Sequence, residues 1–349
     1  MAITVKEQPF GTGGKGEKLT LYSISNGNGI EVFVANVGAD LVRLLVPDRS
    51  GRVDDVVLGF DKGEEYCSNN GSMFGAIVGP SANRIGQASF EIDGIRYELA
   101  KNDHENNLHG DLKKGFHARV WDTEILPDGI RFTVTDTDGN MGFPGNKMLQ
   151  VTYTLDEENR LKLHYYGTSD KKTILNPTNH SYFNLDGHKA GKIEDHLLWL
   201  NAEQFTPVVA GAIPTGEILP VQGTPMDFTE EKRVGRDIDA DMEQLKLTGG
   251  YDHNYVVCGA DGSLKHIATL RSEKSGRQMK VYTTLPGVQF YAGNFIGRQE
   301  GKEGFVYDKR YGLCLETQYY PDSIHHSNFP SYIFGPGRIY ESETVFQFV

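Results

Sequence analysis

The feature that most constrains this chain of 349 residues is a series of short segments in which apolar and polar residues alternate, separated by turn residues. The clearest is ASFEIDGIRYELA, residues 88–100, where Asp93-Gly94 is typical of a two-residue hairpin turn. Folding at this turn would place Glu91 opposite Arg96, a favourable pair of opposite charges. The segment therefore predicts a β-hairpin.

The same pattern recurs along the chain. VWDTEILPDGIRFTV predicts a turn at Pro127-Asp128-Gly129, and VTYTLDEENRLKLHYY predicts one at 156–159. GIEVFVA and KHIATLRS are also typical of strands. The 41 glycines and the 11% of aromatic residues favour a turn-rich β protein over a helical one. The only helix expected is a short one at 237–245.

No low-complexity linker, fixed-period repeat or helical crossover interrupts these segments. Strands that follow one another through short turns form antiparallel sheets. We therefore expect an all-β protein in which residues 1–349 form a single domain, a large antiparallel β-sandwich. A site on such a fold would lie in a cleft across one sheet or among the loops at its ends.

The formal net charge of −12 disfavours nucleic acid and anionic membranes as partners, because both require clustered Lys and Arg. A neutral small molecule is the expected partner. The three cysteines are widely spaced without a CxxC motif, so neither a zinc site nor a disulfide framework is expected. The chain contains no run of about 18 apolar residues, so no membrane span is expected. A cytoplasmic location is expected, or a periplasmic or secreted one if a leader was removed.

Two motifs resemble binding loops only in part. GTGGKG, residues 11–16, is followed by Glu-Lys rather than by Lys-Ser or Lys-Thr, which favours a flexible loop over a phosphate site. DTDGN, residues 136–140, lacks the remaining ligands of a calcium loop, which favours a turn.

His180 lies in NPTNHSYFNL, a stretch rich in neutral hydrogen-bonding groups. Such surroundings would keep its pKa near the reference value of about 6.5, where an imidazole can both give and take a proton. Asn176, Thr178, Asn179 and Asn184 could order the hydroxyls of a sugar around the ring. The alternative is a structural cluster that joins a loop to a sheet.

Glu316 ends the apolar segment LCLETQ, where alternation places it on the same face as Cys314 and Gln318. A partly desolvated carboxylate has a raised pKa, which suits a general base. The alternative is a salt bridge at the rim. One histidine and one glutamate can perform acid–base chemistry on a hydroxyl-rich molecule without a metal.

Three other residues have both a functional and a structural interpretation. Arg84, in SANRIG, could bind a sugar hydroxyl or form a structural salt bridge. His109, in NNLHGD, could expose its ring at a turn or be capped by the backbone. Asp252, in GGYDHNY, could contact a ligand or cap its own turn.

With these motifs in place, the chain resembles the aldose 1-epimerases, also called galactose mutarotases, over nearly its whole length. Ten motifs occur in the order of the family: GADLVRLLVPDRSG, FGAIVGPSANRIG, NLHGDLKKGFHARVW, GFPGN, NPTNHSYFNL, PTGEI, GTPMDF, YDHNYVV, LPGVQFYAGNF and LCLETQYYPDSIHH. The resemblance implies a β-sandwich of the galactose mutarotase type with a sugar in an open cleft. It also implies that the protein opens and recloses the ring of free hexoses such as D-galactose and D-glucose.

The resemblance assigns roles to particular residues. Glu316 is similar to the general base that removes the proton of the C1 hydroxyl, and His180 to the general acid that protonates the ring oxygen. Sugar-binding positions are implied for Asn83, Arg84, His109, Asp252 and Gln289. No metal or other cofactor is implied, and the protein would be a monomer or a homodimer.

Three alternatives stay open from the sequence. A hexose-phosphate epimerase would require a basic cluster that these motifs lack. A glycosidase would use Asp252 and Glu316 as its two carboxylates. A sugar-binding protein would keep the cleft without turnover. Pro80 stands where the family commonly has Arg, and Asp111 where a second Gly is usual, so the preferred sugar is also open.

Overall fold

A computed structural model describes residues 3–68 and 71–349 of the chain. Strands are numbered β1–β31 in chain order, and every ladder between them in the described residues is antiparallel, as the turn pattern predicts. The largest sheet has nine strands in the spatial order β11 (Asp122–Leu126), β12 (Gly129–Asp136), β13 (Lys147–Leu155), β14 (Arg160–Ser169), β31 (Tyr340–Phe348), β25 (Gln278–Thr283), β24 (Lys265–Arg271), β17 (Leu197–Leu200) and β22 (Lys232–Arg233).

Two further sheets have five strands each. The first contains β1 (Thr4–Thr12), β2 (Lys18–Ser25), β3 (Glu31–Ala35), β4 (Leu41–Pro47) and β5 (Val53–Asp55) in that order. The second, which carries part of the candidate site, has the order β21 (Leu219–Pro220), β18 (Gln204–Phe205), β23 (Asp252–Val256), β26 (Gly287–Tyr291) and β29 (Cys314–Gln318).

Six two-stranded ribbons complete the sheets of the described residues. They are β6 (Ile77–Val78) with β16 (Thr178–Asn179), β7 (Arg84–Ile85) with β10 (Asn107–Leu108), β8 (Ser89–Ile92) with β9 (Ile95–Glu98), β15 (Thr173–Ile174) with β30 (Ile333–Phe334), β19 (Val208–Val209) with β20 (Ile213–Pro214), and β27 (Gln299–Glu300) with β28 (Val306–Tyr307). Single 3₁₀ turns lie at Gly86–Ala88, Phe116–Ala118, Asn140–Gly142, Val234–Arg236, Lys302–Gly304 and Ser323–His325.

The hairpins predicted from the sequence are confirmed. In β8 and β9, Glu91 lies opposite Arg96. The ladder of β11 and β12 closes with Leu126 opposite Gly129, so that glycine begins the second strand. In β13 and β14, the pairing ends at 155 and 161, around the predicted turn. Alternation and turn residues were sufficient to predict these hairpins, because both signals act within a few residues of the chain.

The predicted helix at 237–245 is wrong in its bounds. The described residues contain two α-helices of six residues each, α1 (Gly63–Ser68), which the sequence did not predict, and α2 (Glu243–Thr248). Residues 237–242 form turns instead, because a short apolar pattern does not distinguish a helix from consecutive turns. Gly249 ends α2 at φ +65°, where its N–H bonds the Leu245 carbonyl. Both helices of the described residues are too short to cross a membrane.

One face of β29 packs against the main core, and its other face carries part of the candidate site. Leu315 of β29 and Phe290 of β26 belong to the same buried cluster as Leu149 of β13 and Phe346 of β31. All five residues of β29 are nevertheless buried, including those on the opposite face. Polar residues on that second face, Glu316 among them, are therefore enclosed inside the protein.

Candidate active site

A cavity of about 530 Å³ lies against the second face of β29. This volume lies within the range of small-molecule pockets, roughly 300–1,000 Å³. Six of the seven residues predicted from the sequence line it: Asn83, Arg84, His109, His180, Asp252 and Glu316. They come from distant parts of the chain, on or next to β7, β10, β16, β23 and β29.

The seventh predicted residue, Gln289, lies behind the cavity. It is buried on β26, opposite Glu316 in the ladder with β29. Its Nε2 donates a hydrogen bond of 2.7 Å to Oδ1 of Asp252, and its Oε1 accepts one of 3.3 Å from Gln318. Gln289 therefore orients the Asp252 carboxylate.

His180 and Glu316 lie side by side. Nε2 of His180 is 3.7 Å from Oε1 of Glu316, and the two residues are only 6% and 2% exposed. The other carboxylate oxygen of Glu316, Oε2, is buried and has no hydrogen-bond partner among the described residues. The pair is thus close enough to exchange a proton through one intervening group, with hydrogen-bonding capacity left for a ligand.

Burial shifts both groups towards their neutral forms. It raises the pKa of Glu316 well above its usual range; the neighbouring Asp252 carboxylate raises that pKa further, and Arg84 lowers it. Burial also lowers the pKa of His180 to about 4. The raised pKa expected for Glu316 is confirmed, whereas the value near 6.5 expected for His180 is wrong, because the sequence did not show how completely the ring is enclosed.

The four neutral side chains around His180 do not line the cavity. Each instead donates a hydrogen bond to a backbone carbonyl: Asn176 to Tyr319 (3.3 Å), Thr178 to Thr317 (2.8 Å), Asn179 to Gly75 (2.8 Å), and Asn184 to Gly191 (2.8 Å) and Tyr311 (2.9 Å). The sugar-ordering interpretation is wrong. The structural alternative, a cluster that joins a loop to the sheet, describes these residues.

The protonation of His109 follows from its backbone contact. The N–H of Asn83 donates a 3.0 Å hydrogen bond to Nδ1 of His109. Burial, with His180 and Arg84 nearby, lowers the pKa of His109 well below its usual value, so the ring is neutral. Since Nδ1 accepts, the ring proton must lie on Nε2. His109 can therefore donate a hydrogen bond but cannot accept one at Nε2.

This tautomer bears on whether the site could hold a metal. One nitrogen each from His109 and His180 and one oxygen of Glu316 lie within 4.8 Å of one another. A metal on Nε2 of His109 would require a proton on Nδ1, where the N–H of Asn83 already points. The donor arrangement at His109 therefore fits a hydroxylated ligand better than a metal ion.

Arg84 fits both interpretations of its motif. Its Nε donates a 2.7 Å hydrogen bond to Oδ2 of Asp103, and its side chain also lines the cavity. Asp252 lies in the same cavity. Burial raises the pKa of its carboxyl group, and the nearby Arg84 offsets only part of that shift. The cavity thus contains two carboxylates and a guanidinium group that is already paired.

The sequence did not single out the aromatic walls. Tyr182 packs on His180 with ring centroids 5.0 Å apart, and Tyr291 meets both rings edge to face. Phe295, which is 66% exposed at the mouth, stacks on Tyr291. Their signal was present in the sequence, because all three aromatic residues lie inside the motifs NPTNHSYFNL and LPGVQFYAGNF.

Comparison with known proteins identifies relatives over nearly the whole chain. The family model described as aldose 1-epimerase matches residues 20–347. Galactose mutarotase from Homo sapiens is 41% identical over 344 residues, which cover 98% of this chain and 96% of that protein. Aldose 1-epimerase from Escherichia coli strain K12 is 35% identical over 337 residues, which cover 96% of each.

Solved structures share the fold. The GalM/aldose epimerase homologue from C. elegans superimposes with a TM-score of 0.86 at 30% identity, covering 94% of this chain and 98% of that chain. Galactose 1-epimerase from Lactobacillus acidophilus NCFM gives a TM-score of 0.86 at 28% identity, covering 100% and 99%. The predicted antiparallel β-sandwich of the galactose mutarotase type is confirmed, and the chain belongs to the aldose 1-epimerase family.

Proposed function

We propose that this protein interconverts the α and β anomers of free hexoses such as D-galactose and D-glucose, with Glu316 as general base and His180 as general acid. The observation that carries the proposal is the 3.7 Å separation of Oε1 of Glu316 and Nε2 of His180 inside one sugar-sized cavity. O1 and O5 of a hexose are both bonded to C1. A base and an acid that serve these two oxygens must therefore be neighbours.

The reaction needs two proton transfers at one carbon. Glu316 removes the proton from O1 while Nε2 of His180 donates a proton to O5. The C1–O5 bond breaks, its electrons stay on O5, and O1 forms the carbonyl with C1. Rotation about C1–C2 presents the other face of the aldehyde, and the reverse transfers close the ring. Each transfer of this kind typically contributes a factor of about 10² to 10⁴ in rate.

The buried pair can supply the required protons. Burial favours a protonated Glu316 beside a neutral His180. Moving that single proton to Nε2 of His180 creates the carboxylate and the imidazolium without any exchange with solvent. The pair therefore contains the reactive form whenever it holds one proton, and titrates as a unit.

The rest of the cavity suits a neutral sugar. Nε2 of His109 donates one hydrogen bond, and Asp252, oriented by Gln289, accepts from hydroxyl groups. Arg84 is already bound to Asp103, while Asp252 and Glu316 contribute two carboxylates. A phosphate group would meet these carboxylates, so a free hexose fits better than a hexose phosphate. Asn83 completes the set of proposed binding residues.

The domain prediction also becomes a proposal at this point. The family model spans residues 20–347, and the structural relatives cover 94% and 100% of the chain. We propose that residues 1–349 act as one domain.

Polarimetry of freshly dissolved α-D-galactose and α-D-glucose tests the activity. The wild-type protein is expected to accelerate the approach to equilibrium, and Glu316→Gln and His180→Asn should each lower the rate by about 10²- to 10⁴-fold. Glu7→Gln, at an exposed strand position, is the matched control and should retain full activity. Sugar binding without faster anomer exchange would indicate a binding protein, and hydrolysis of an aryl glycoside would indicate a glycosidase.

A further inference from the structure

Each ring nitrogen of His180 lies beside a side chain of β29. Nε2 faces Glu316 at 3.7 Å, and Nδ1 lies 3.6 Å from Sγ of Cys314. Cys314 and Glu316 are two residues apart, so the alternation of the strand directs both side chains to the same face. One strand thus contacts both nitrogens of the imidazole.

The sulfur is well placed to act on the ring and poorly placed to touch a ligand. Cys314 is completely buried, in a cluster with Tyr182 and Tyr291, and does not line the cavity. Burial, with the Glu316 and Asp252 carboxylates nearby, raises the pKa of the thiol well above its usual value, so it remains protonated. The titratable groups near the imidazole are Cys314, Glu316, Tyr182, Tyr291, His109 and His117.

We propose that Cys314 is a positioning residue for His180. The Cys314 thiol is the hydrogen-bond partner of Nδ1 of His180, and this contact keeps Nε2 directed at the substrate. The expected effect of Cys314 on kcat rests on the proposed function. The contact between the sulfur and Nδ1 can be measured without turnover.

The chemistry of a thiol fits the proton cycle of His180. When the ring is an imidazolium, or neutral with its proton on Nδ1, the N–H of Nδ1 donates to Sγ. When the neutral ring carries its proton on Nε2, the S–H can rotate and donate to Nδ1. Sulfur is a weak donor and a weak acceptor, so it favours neither form strongly. A carboxylate at the same place would raise the pKa of the ring and favour its cationic form.

The hydrogen bond also restricts how the ring turns. Tyr182 packs against one side of the imidazole and His109 meets it edge to face at a centroid distance of 5.3 Å. These aromatic contacts limit tilting of the ring plane, but they do not distinguish Nδ1 from a carbon. The contact with Cys314 does, because only a nitrogen can hydrogen-bond to the sulfur. Without it, a ring flipped by half a turn would present carbon to the substrate.

Three variants of Cys314 separate this role from simple packing. Cys314→Val keeps much of the volume of the side chain and removes the hydrogen bond, Cys314→Ser keeps a hydrogen-bonding group on a shorter side chain, and Cys314→Ala removes both. Cys258→Ser, at a half-buried cysteine that does not line the cavity, is the matched control. Melting temperatures show which variants are folded.

In polarimetry, Cys314→Val is expected to lower kcat by about 10- to 100-fold, by analogy with the loss of a hydrogen-bond partner that orients a metal-bound histidine. KM should change less than twofold, since the sulfur does not line the cavity. Cys314→Ser should recover most of the lost kcat. A valine variant with wild-type kcat, or a serine variant as slow as the valine variant, would overturn the proposal.

The second readout needs no catalysis. In ¹⁵N NMR of protein labelled at histidine nitrogens, the His180 signals are assigned by their loss in His180→Asn. Cys314→Val is expected to shift the Nδ1 resonance of His180, whereas Cys258→Ser should not. Unchanged signals in all Cys314 variants would overturn the contact itself. If the wild-type protein fails to epimerise any aldose while the Nδ1 shift is present, the proposed function fails and the positioning contact stands.

Discussion

Asp55 and Glu316 are each buried beside a nitrogen base, and their surroundings differ. Asp55 accepts from Lys302 at 2.5 Å through Oδ2, and from the N–H groups of Leu44 and Val57 through Oδ1. Glu316 has His180 at 3.7 Å on one oxygen and no partner among the described residues on the other. Both carboxyl groups are buried, so they differ in how many hydrogen bonds they form rather than in how deeply they lie.

The base of each pair shows the same contrast. Lys302 is fully buried and donates to Asp55 and to the carbonyls of Val42 (2.9 Å) and Val57 (2.6 Å), which uses all three of its protons. His180 instead keeps Nε2 directed at a carboxylate beyond hydrogen-bond distance. A fully bonded pair stabilises a fold, whereas a pair with unused hydrogen-bonding capacity can bind and exchange protons with a ligand.

The largest effect on folding is expected at the satisfied pair. Lys302→Met removes one partner and leaves Asp55 buried without its cation, which should cost about 3–5 kcal/mol in the free energy of unfolding. Urea denaturation measures this loss. Lys192→Met, at a lysine 58% exposed, is the matched control and should stay within about 0.5 kcal/mol. Equal losses for both variants would show that burial and satisfaction do not distinguish these sites.

The unsatisfied pair should respond in the opposite sense. Glu316→Gln is expected to reduce anomerisation by about 10²- to 10⁴-fold and to leave stability at pH 8 equal or higher, because it removes a carboxyl group whose ionisation burial disfavours and whose second oxygen is unpaired. The folded-state pKa of Glu316 is raised, so its contribution to stability is full at acidic pH and is lost as the pH rises through that pKa.

The stability difference between Glu316→Gln and the wild-type protein should therefore grow between pH 5 and pH 8. Melting temperatures of both proteins across this range check the sign. A variant that melts well below the wild type at pH 8 would place Glu316 with Asp55 among the structural carboxylates.

The features of the two buried pairs that depend on a local sequence pattern could be predicted from the sequence. Alternation in LCLETQ indicated the face and the desolvation of Glu316, and turn residues indicated the hairpins. Nothing near Lys302 indicated that it reaches Asp55, which is 247 residues away. The hydrogen bonds of Asn184 were hidden for the same reason, since Tyr311 lies 127 residues along the chain. Which polar groups are consumed by distant backbone cannot be inferred from neighbours in sequence.

A smaller effect is expected at the polar cluster around His180. Asn184→Ala removes hydrogen bonds to the carbonyls of Gly191 and Tyr311 and should cost about 1–3 kcal/mol of stability. Specific activity of the folded variant should remain within about threefold of wild type, because Asn184 does not contact the cavity. The control is Asn328→Ala, whose exposed amide also donates to a carbonyl, that of Gly216. A loss of activity as large as that of His180→Asn would show that Asn184 takes part in the function of the site.

The smallest effect concerns pH. Burial lowers the pKa of His180 to about 4, so the His180–Glu316 pair should gain its second proton only near that pH, and kcat/KM should fall on the acid side only there. A histidine with its ordinary pKa of about 6.5 would be roughly 90% protonated at pH 5.5. At pH 5.5 we therefore expect kcat/KM within twofold of its maximum, measured by polarimetry with the spontaneous rate subtracted. A tenfold fall at this pH would show that His180 is hydrated in solution. In that case enclosure of the ring would not be what separates the reactive pair from the structural one.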